Sequence, residues 1–397
     1  MIMVTLDRDE LLVYLEDNKI DVIAVAISHW HALGIDAFLY DLSNRYDRKV
    51  QALILIQPHI TDGYVISEKD FLNDEYADLK FHFVDITPKD ESFISERLPN
   101  FISKYLTMSS GLINIRSRKG SNKLYLLSPQ LPYSELLIYF GNKIVSSKYN
   151  PILILVDEGY ASYVSEEDWK QLRKELRKED AKEVNSTLMY TISSNIFRSV
   201  DYIFREMILR SMPVEKRFLF TLESQLKIND DICSSYKEVL KLRKNDLNMD
   251  KFGKTVLIIT QPFSEMNIIS LEDELSLMGS LIKVINRKGI KPVIKPHPRE
   301  TSDKYNNLKD CDFDIIENNF PVEEIIPNLN PLCVIGYSST ALLNSKVFYD
   351  IDAISLSDIM RSMYDDEMLH ESDEEFKKLT SNYVNFVDDV EDIGKLI

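Results

Sequence analysis

Between Lys254 and Leu343, short β-branched apolar runs alternate with a helix-length amphipathic stretch, and a polar turn closes each run. Few folds besides a parallel α/β sheet satisfy that pattern. Thr255–Thr260 (TVLIIT) is apolar and stopped by Gln261-Pro262, as suits a strand buried on both faces. From Ser270 to Arg287 the residues Leu271, Leu275, Met278, Leu281, Ile282 and Ile285 recur at helical spacing. Ser270 with Asp273 resembles a capping box with Asp in place of the usual Glu, and Gly289 ends the helix. Lys291–Lys295 (KPVIK) reads as the next strand and stops at Pro296-His297-Pro298-Arg299. Leu332–Ile335 reads as a third and turns through Gly336-Tyr337-Ser338-Ser339-Thr340 into a helical Ala341-Leu342-Leu343.

Open parallel sheets keep their ligands beyond the carboxyl ends of the strands. His297, held between two prolines, has little backbone freedom and is placed to donate to a phosphate oxygen, with Lys295 or Arg299 adding charge. Ser338, Ser339 and Thr340 at a helix start offer hydroxyls and backbone N–H groups to an anion. Each motif also has a plainer explanation, His-Pro as a turn and Ser-Ser-Thr as ordinary cap residues. Their joint occurrence at strand ends of one α/β unit favours phosphate binding.

The first half repeats the grammar. Strands are expected at Asp21–Ser28, Val50–Gln57, Phe81–Ile86, Lys123–Leu127 and Asn150–Val156, a doubly wound sheet of roughly five strands. Helices are expected near Arg8–Asn18, Ala32–Asn44 and Tyr133–Phe140. His29, Trp30 and His31 follow the first strand and Asp157-Glu158-Gly159 follows the last, which puts both on one sheet edge. Two histidines without a carboxylate at helical spacing make a weak metal signal, and an aromatic, hydrogen-bonding wall for a sugar is the preferred reading. The charged run Glu166–Glu183 reads as a solvated helix, Ser199–Leu209 as another, and residues 185–252 as the tail of the first domain and the connection. The expected domains are 1–250 and 251–397. In the second, Asp314–Glu317 is a short strand and Pro321 opens a helix. There Glu323 either accepts from ribose hydroxyls or is simply an acid favoured near a helix N-terminus. The acidic tail from Asp358 is expected to pack back across the domains.

With 397 residues, 44% hydrophobic and 10% aromatic, the chain is not mainly disordered, and its length suits two domains. A formal net charge of −17 argues against general affinity for nucleic acid or anionic lipid. Cys233, Cys311 and Cys333 are isolated, so neither a disulfide framework nor a cysteine zinc site is suggested, and a reducing cytoplasm fits. The N-terminus lacks a signal-peptide pattern, and no apolar run reaches the ~18 residues of a membrane span. A soluble protein is expected, with peripheral association at the inner face of the membrane still allowed. Asp310/Asp312, Asp312/Asp314 and Asp350/Asp352 are Asp-x-Asp pairs, but they lie in acidic surface-like segments, and no metal is expected there.

Taken in order, Asp157-Glu158-Gly159, His297-Pro298 and Ser338-Ser339-Thr340 resemble the acidic-acidic-Gly, His-Pro and Ser-Ser/Thr motifs of bacterial sialyltransferases of GT-B architecture. The context ITQPFSE, SLEDEL, IKPHPRE, FPVEE and IGYSSTALL is most similar to the polysialyltransferase-type families of capsule synthesis and less so to the lipooligosaccharide sialyltransferases. The resemblance is best over residues 255–345. It implies two Rossmann-like doubly wound domains facing a central cleft, and inverting, metal-independent transfer of sialic acid from CMP-sialic acid to a galactoside or sialoside hydroxyl, with no cofactor.

Carried over, Asp157 would be the base, Glu158 its neighbour and fallback, and Gly159 the residue that lets the turn enter the site. His297 would act on the CMP phosphate as general acid or electrostatic stabiliser. Ser338, Ser339 and Thr340 would bind the same phosphate, with Gly336 and Pro298 in their turns and Lys295 adding charge. Glu323 would hold the ribose, backbone near Gln261 and Pro262 would read cytosine, and His29, Trp30 and His31 would meet the acceptor. The acidic surface favours adding one residue or few over polymerisation. The alternatives are a capsule or teichoic-type transferase with a CDP- or UDP-linked donor, and a non-catalytic nucleotide-sugar-binding protein.

Overall fold

The computed structural model describes residues 19–56, 66–72, 75–83, 122–129, 149–163, 213–222, 225–243, 253–301, 303–308, 311–316, 320–364 and 367–397. The helices expected at Arg8–Asn18, Tyr133–Phe140, Glu166–Glu183 and Ser199–Leu209 lie outside them. The chain forms two compact units. The first holds the described residues up to Glu158 and from 213 to Phe218, and the second holds Gly159–Tyr163 and the residues from Leu219 to Ile397.

In the first unit, β1 (Val22–Ala26), β2 (Val50–Ile56), β3 (Ala77–Phe83), β4 (Asn122–Pro129), β5 (Tyr149–Val156) and β6 (Val214–Arg217) form one sheet in the order β3-β2-β1-β4-β5-β6. Every neighbouring pair is parallel. In the second, β9 (Thr255–Ile259), β10 (Lys291–Lys295), β11 (Asp314–Ile315), β12 (Cys333–Gly336), β13 (Asp352–Ser355) and β14 (Val384–Phe386) repeat it as β11-β10-β9-β12-β13-β14, again all parallel. Each unit is therefore a Rossmann-like doubly wound sheet. Its strand order reverses between the first and fourth strands, where such sheets bind ligands.

The sequence accounts for these elements at the level of single residues. Along β9, Val256 and Ile258 enter one core with Met278, Leu281, Ile282 and Ile285 of the helix α3 (Leu271–Arg287). Leu257 and Ile259 enter the opposite core with Ile325, Ile326 and Leu342. That two-sided burial is why the strand reads as a continuous apolar run. Ser270 caps α3 by accepting from Asp273 N at 3.1 Å. The Asp273 carboxylate answers the Ser270 hydroxyl at 2.6 Å, being one methylene shorter than the Glu that reaches the cap backbone in a full box.

Three expectations need correction. The first sheet has six strands, because β6 (VEKR) is a charged edge strand with no apolar signature. The third strand begins at Ala77, where exposed Asp78 and Lys80 alternate with buried Ala77 and Leu79 in the manner of an edge strand. The units divide at Phe218 and Leu219, not at 250. Residues 220–222 and 225–243 form the antiparallel pair β7–β8 (Phe220–Leu222, Leu226–Ile228) and the helix α2 (Asp230–Leu242), all packed on the second unit. Tyr383 donates to Leu226 O at 3.2 Å, Tyr236 stacks on Phe348, and Arg243 pairs with Glu324 at 3.1 Å. The acidic tail packs on the second unit too, with Glu391 paired to Arg287 at 2.6 Å.

At the second switch point β12 lies beside β9 so closely that a Cβ on Gly336 would stand 2.5 Å from Ile259 Cγ1 and 3.1 Å from Ile259 O. Gly336→Ala is expected to destabilise the protein by about 1–3 kcal/mol through overpacking against the stem of the Ile259 side chain and its carbonyl. The check is the denaturant midpoint, and an unchanged midpoint would show that the two strands can part without cost.

Candidate functional site

The residues with chemistry lie at the carboxyl ends of the two sheets, one group in each unit. In the first unit α1 (His29–Tyr46) begins at His29, three residues before the sequence suggests. The reason is that extended Ser28 caps it, its hydroxyl accepting from His31 N at 3.3 Å. His29, Trp30 and His31 thus form the first helical turn beyond β1. Trp30 Nε1 donates to Asp157 Oδ1 at 3.3 Å, and Asp157, just past β5, is 1% exposed. Glu158 is more open. His29 Nδ1 lies 3.1 Å from Asp70, whose other oxygen takes Ser67 N at 2.6 Å. His31 Nε2 stands 3.8 Å from Glu158. Burial pushes the His31 imidazole down to about 4, so it is neutral at neutral pH. At that distance the contact is then neither an ion pair nor a hydrogen bond. Among the described residues no group of three or more His, Cys, Asp or Glu is disposed to hold a metal ion.

In the second unit β9 ends at Thr260-Gln261-Pro262, with β10 on one side and β12 on the other. His297, after β10, donates its backbone N–H to Glu300 Oε2 at 2.7 Å, and Thr260 Oγ1 lies 3.3 Å away. His297 Nδ1 accepts from Arg299 N at 3.2 Å, which places the proton of the neutral ring on Nε2. Lys295 is buried and donates to Pro296 O at 3.2 Å; burial pushes its amine down to about 8. Gln261 Nε2 donates to Ser338 O at 3.3 Å, tying the β9 end to the β12 end. Pro298 holds the far side of the His297 turn, which Glu300 N closes by donating to His297 O at 3.0 Å.

Ser339 caps α5 (Thr340–Tyr349), its hydroxyl oxygen accepting from Ala341 N at 3.3 Å, which leaves the hydroxyl proton to donate outward. Ser338 is committed differently. Its hydroxyl donates to Asp373 of α6 (Glu367–Thr380), a carboxyl that also takes the Tyr364 hydroxyl and that burial pushes up. Gly159, at a φ of 82°, lies against the start of α5, where a Cβ would stand 2.8 Å from Thr340 Oγ1. The acidic motif's glycine and the Ser-Ser-Thr motif's threonine are therefore neighbours within this unit.

Glu323 is in the first turn of α4 (Val322–Leu329), buried, with Asn344 donating to it at 2.8 Å. Burial raises its carboxyl against the opposing pull of that hydrogen bond. Asp312 and Asp314 both pair with Lys291, and Asp350 and Asp352 both pair with Lys346, while Asp310 lies outside the described residues.

Sequence reasoning missed Glu300, Lys304 and Tyr305 behind the His297 turn, and Asp373 behind Ser338. The first three could have been suspected from PHPRETSDKY, where Glu300 and Lys304 are four apart. Asp373 left no signal, being one of many acids in a solvated-looking tail.

Comparison with known families matches residues 22–357 to alpha-2,8-polysialyltransferase (POLYST). The protein is a glycosyltransferase of the sialyltransferase class, and it belongs to the alpha-2,8-polysialyltransferase family. A comparison with curated proteins gives no match. Among solved structures it is similar to a sialyltransferase from Photobacterium damsela, at 12% identity and a TM-score of 0.46, over 92% of this chain and 81% of that one. It is likewise similar to a UDP-GlcNAc 2-epimerase from Methanocaldococcus jannaschii, at 11% identity and a TM-score of 0.46, over 96% and 92%.

His31 carries a stability consequence. Its folded value of about 4 lies below the ordinary 6.5, so between these the unfolded chain binds the extra proton and stability falls as pH drops through that window. His31→Gln is expected to remove up to about 3 kcal/mol of that acid loss. Urea midpoints at pH 7 and pH 4.5 check it; parallel losses in both proteins would show that His31 titrates normally.

Proposed function

We propose that the protein transfers sialic acid from CMP-sialic acid to a glycan hydroxyl, with inversion and without a metal ion. Departure of CMP develops negative charge on one phosphate and positive charge on the sugar ring. The enzyme must therefore neutralise the first and deprotonate the acceptor facing the second. In this reading His297 Nε2–H donates to the phosphate, Ser339 and Thr340 with the N-terminus of α5 bind its other oxygens, and Lys295 adds charge from below. Asp157 is the base, oriented by the Trp30 indole, with Glu158 as the more exposed alternative.

The observation that carries the proposal is the Arg299 N–H bond to His297 Nδ1, beside a switch point occupied by a helix N-terminus. A neutral imidazole held as an Nε2 donor suits a departing phosphate. Absence of a metal is supported by the monophosphate leaving group and by the lysines already bracketed by the Asp-x-Asp carboxylates. Family membership favours a sialoside acceptor over a galactoside. We place the enzyme in the cytoplasm, at the inner face of the membrane when its acceptor is lipid-linked. No helix among the described residues is long and apolar enough to cross a membrane.

Mass spectrometry of reactions with CMP-sialic acid and a panel of sialosides and galactosides tests the reading directly, and the ladder of product masses separates one addition from several. Stabilisation by CDP or UDP but not CMP would replace the donor. His297→Ala and Asp157→Asn are each expected to lower turnover by a factor on the order of 10² with CMP affinity little changed. Full turnover in both would remove these two residues from the chemistry, whereas CMP binding with no turnover in the wild type would favour a binding protein. With its amine pushed down to about 8, Lys295 loses charge as pH rises through that value, so CMP affinity should weaken there. Titration of Lys295→Met should show no such weakening, and a wild-type profile in that variant would exclude the lysine from the phosphate site.

A further inference from the structure

The four donors on Glu300 connect the site to the core behind it. Its side chain is fully buried, and each carboxylate oxygen takes two donors. Oε2 accepts from His297 N at 2.7 Å and from the Thr260 hydroxyl; Oε1 accepts from Lys304 Nζ at 2.9 Å and from the Tyr305 hydroxyl at 2.7 Å. Every one of these partners donates, so the acceptor-only carboxylate fits as no amide or acid can.

Lys304, itself fully buried, donates to Glu265 at 3.0 Å and to Glu300, and its ammonium forms an ion pair with Glu274 at 2.8 Å. Burial opposes its charge, but the surrounding carboxylates of Glu274, Glu300 and Glu265 prevail and hold the amine above its ordinary range. Removing one partner from such a cluster is costly, so the cluster holds its geometry firmly.

We propose that Glu300 is a positioning residue for the reaction, setting the conformation and tautomer of His297. The claim rests on the reading of His297 as donor to the leaving phosphate. Two of Glu300's donors, Thr260 and His297, are the first polar groups past β9 and β10, the strands that flank the site. By fixing His297 N it fixes the turn in which Arg299 N meets Nδ1, and so keeps the ring proton on Nε2. An ion pair serving stability alone, made through Oε1, would have no reason to give its second oxygen to the backbone of the histidine.

The test is Glu300→Gln in the full chain, with Thr260→Val as a second variant that keeps the buried charge balance. The Gln amide must present N–H to one donor pair, while Lys304 keeps Glu265 and Glu274. Expected is a fall in kcat of about tenfold or more with the KM for CMP-sialic acid within about threefold of wild type. The second readout is the 15N imidazole spectrum of histidine-labelled protein. With six histidines it is simple enough to assign the His297 signals by their loss in His297→Ala. Wild type should show Nδ1 unprotonated and Nε2 protonated, and Glu300→Gln an averaged pair, with Thr260→Val shifted the same way.

A folded Glu300→Gln protein with the wild-type His297 spectrum overturns the proposal whatever its activity. If Glu300→Gln does not fold, an unshifted spectrum in Thr260→Val does the same. Normal turnover in His297→Ala overturns the donor role instead, and the spectra still report whether Glu300 holds the ring.

Discussion

The close approach of β12 to β9 sets everything in the second unit. Only a hydrogen fits on Gly336 against Ile259, and with that gap closed the ends of the two strands emerge side by side. Gln261 can then reach Ser338 O, and the helix N-terminus at Ser339 lies next to the turn after β9. The proposed phosphate site, assembled from two loops, needs this rigidity, because no side-chain rotation can correct the placement of the backbone N–H groups among its donors.

Behind that edge the protein keeps an unusual amount of buried charge. Lys304 and the carboxylates of Glu300 and Glu274 have lost nearly all contact with water, and desolvation makes such clusters weak contributors to stability. What a saturated network supplies is a single arrangement. Each oxygen of Glu300 has its own pair of donors, so a shift of the His297 turn would break several bonds together. The first unit does the same on a smaller scale: the Trp30 indole fixes the Asp157 carboxylate, and Asp70 ties His29 to the Ser67 turn.

Much of this was legible before any coordinates. Strands buried on both faces announce themselves as continuous apolar runs, which is why β1, β2, β9, β10 and β12 fall where the sequence puts them. Edge strands do not, and β6 and the start of β3, half solvated and charged, were invisible for that reason. Motifs at strand ends were legible because the turn chemistry is local, Ser28 and Ser339 as caps being the plainest instances. Glu300 and Asp373 were not, because what distinguishes them from other acids is burial, and burial depends on residues distant in the chain. Glu323 shows the converse. The sequence offered two roles, and its place under Asn344 explains the residue as a buried cap-region acid as readily as a ribose ligand.

The electrostatics of the whole chain give these local devices their purpose. At a net charge of −17 the protein's field repels an anionic donor and an anionic acceptor alike, so attraction must come from groups at contact range. Surface lysines would be a poor means, since salt screens them and the surrounding acids pair with them, as Lys291 and Lys346 already are. Partial charges fixed in the fold escape both problems. In the proposed function the N-terminus of α5, the Nε2–H of a histidine held by its own turn, and a lysine whose amine burial pushes down to about 8 are the groups that meet the donor phosphate at contact range. Such groups hold a phosphate only where the backbone is correctly placed, and so select for geometry more than for charge, which an acidic protein handling acidic sugars requires.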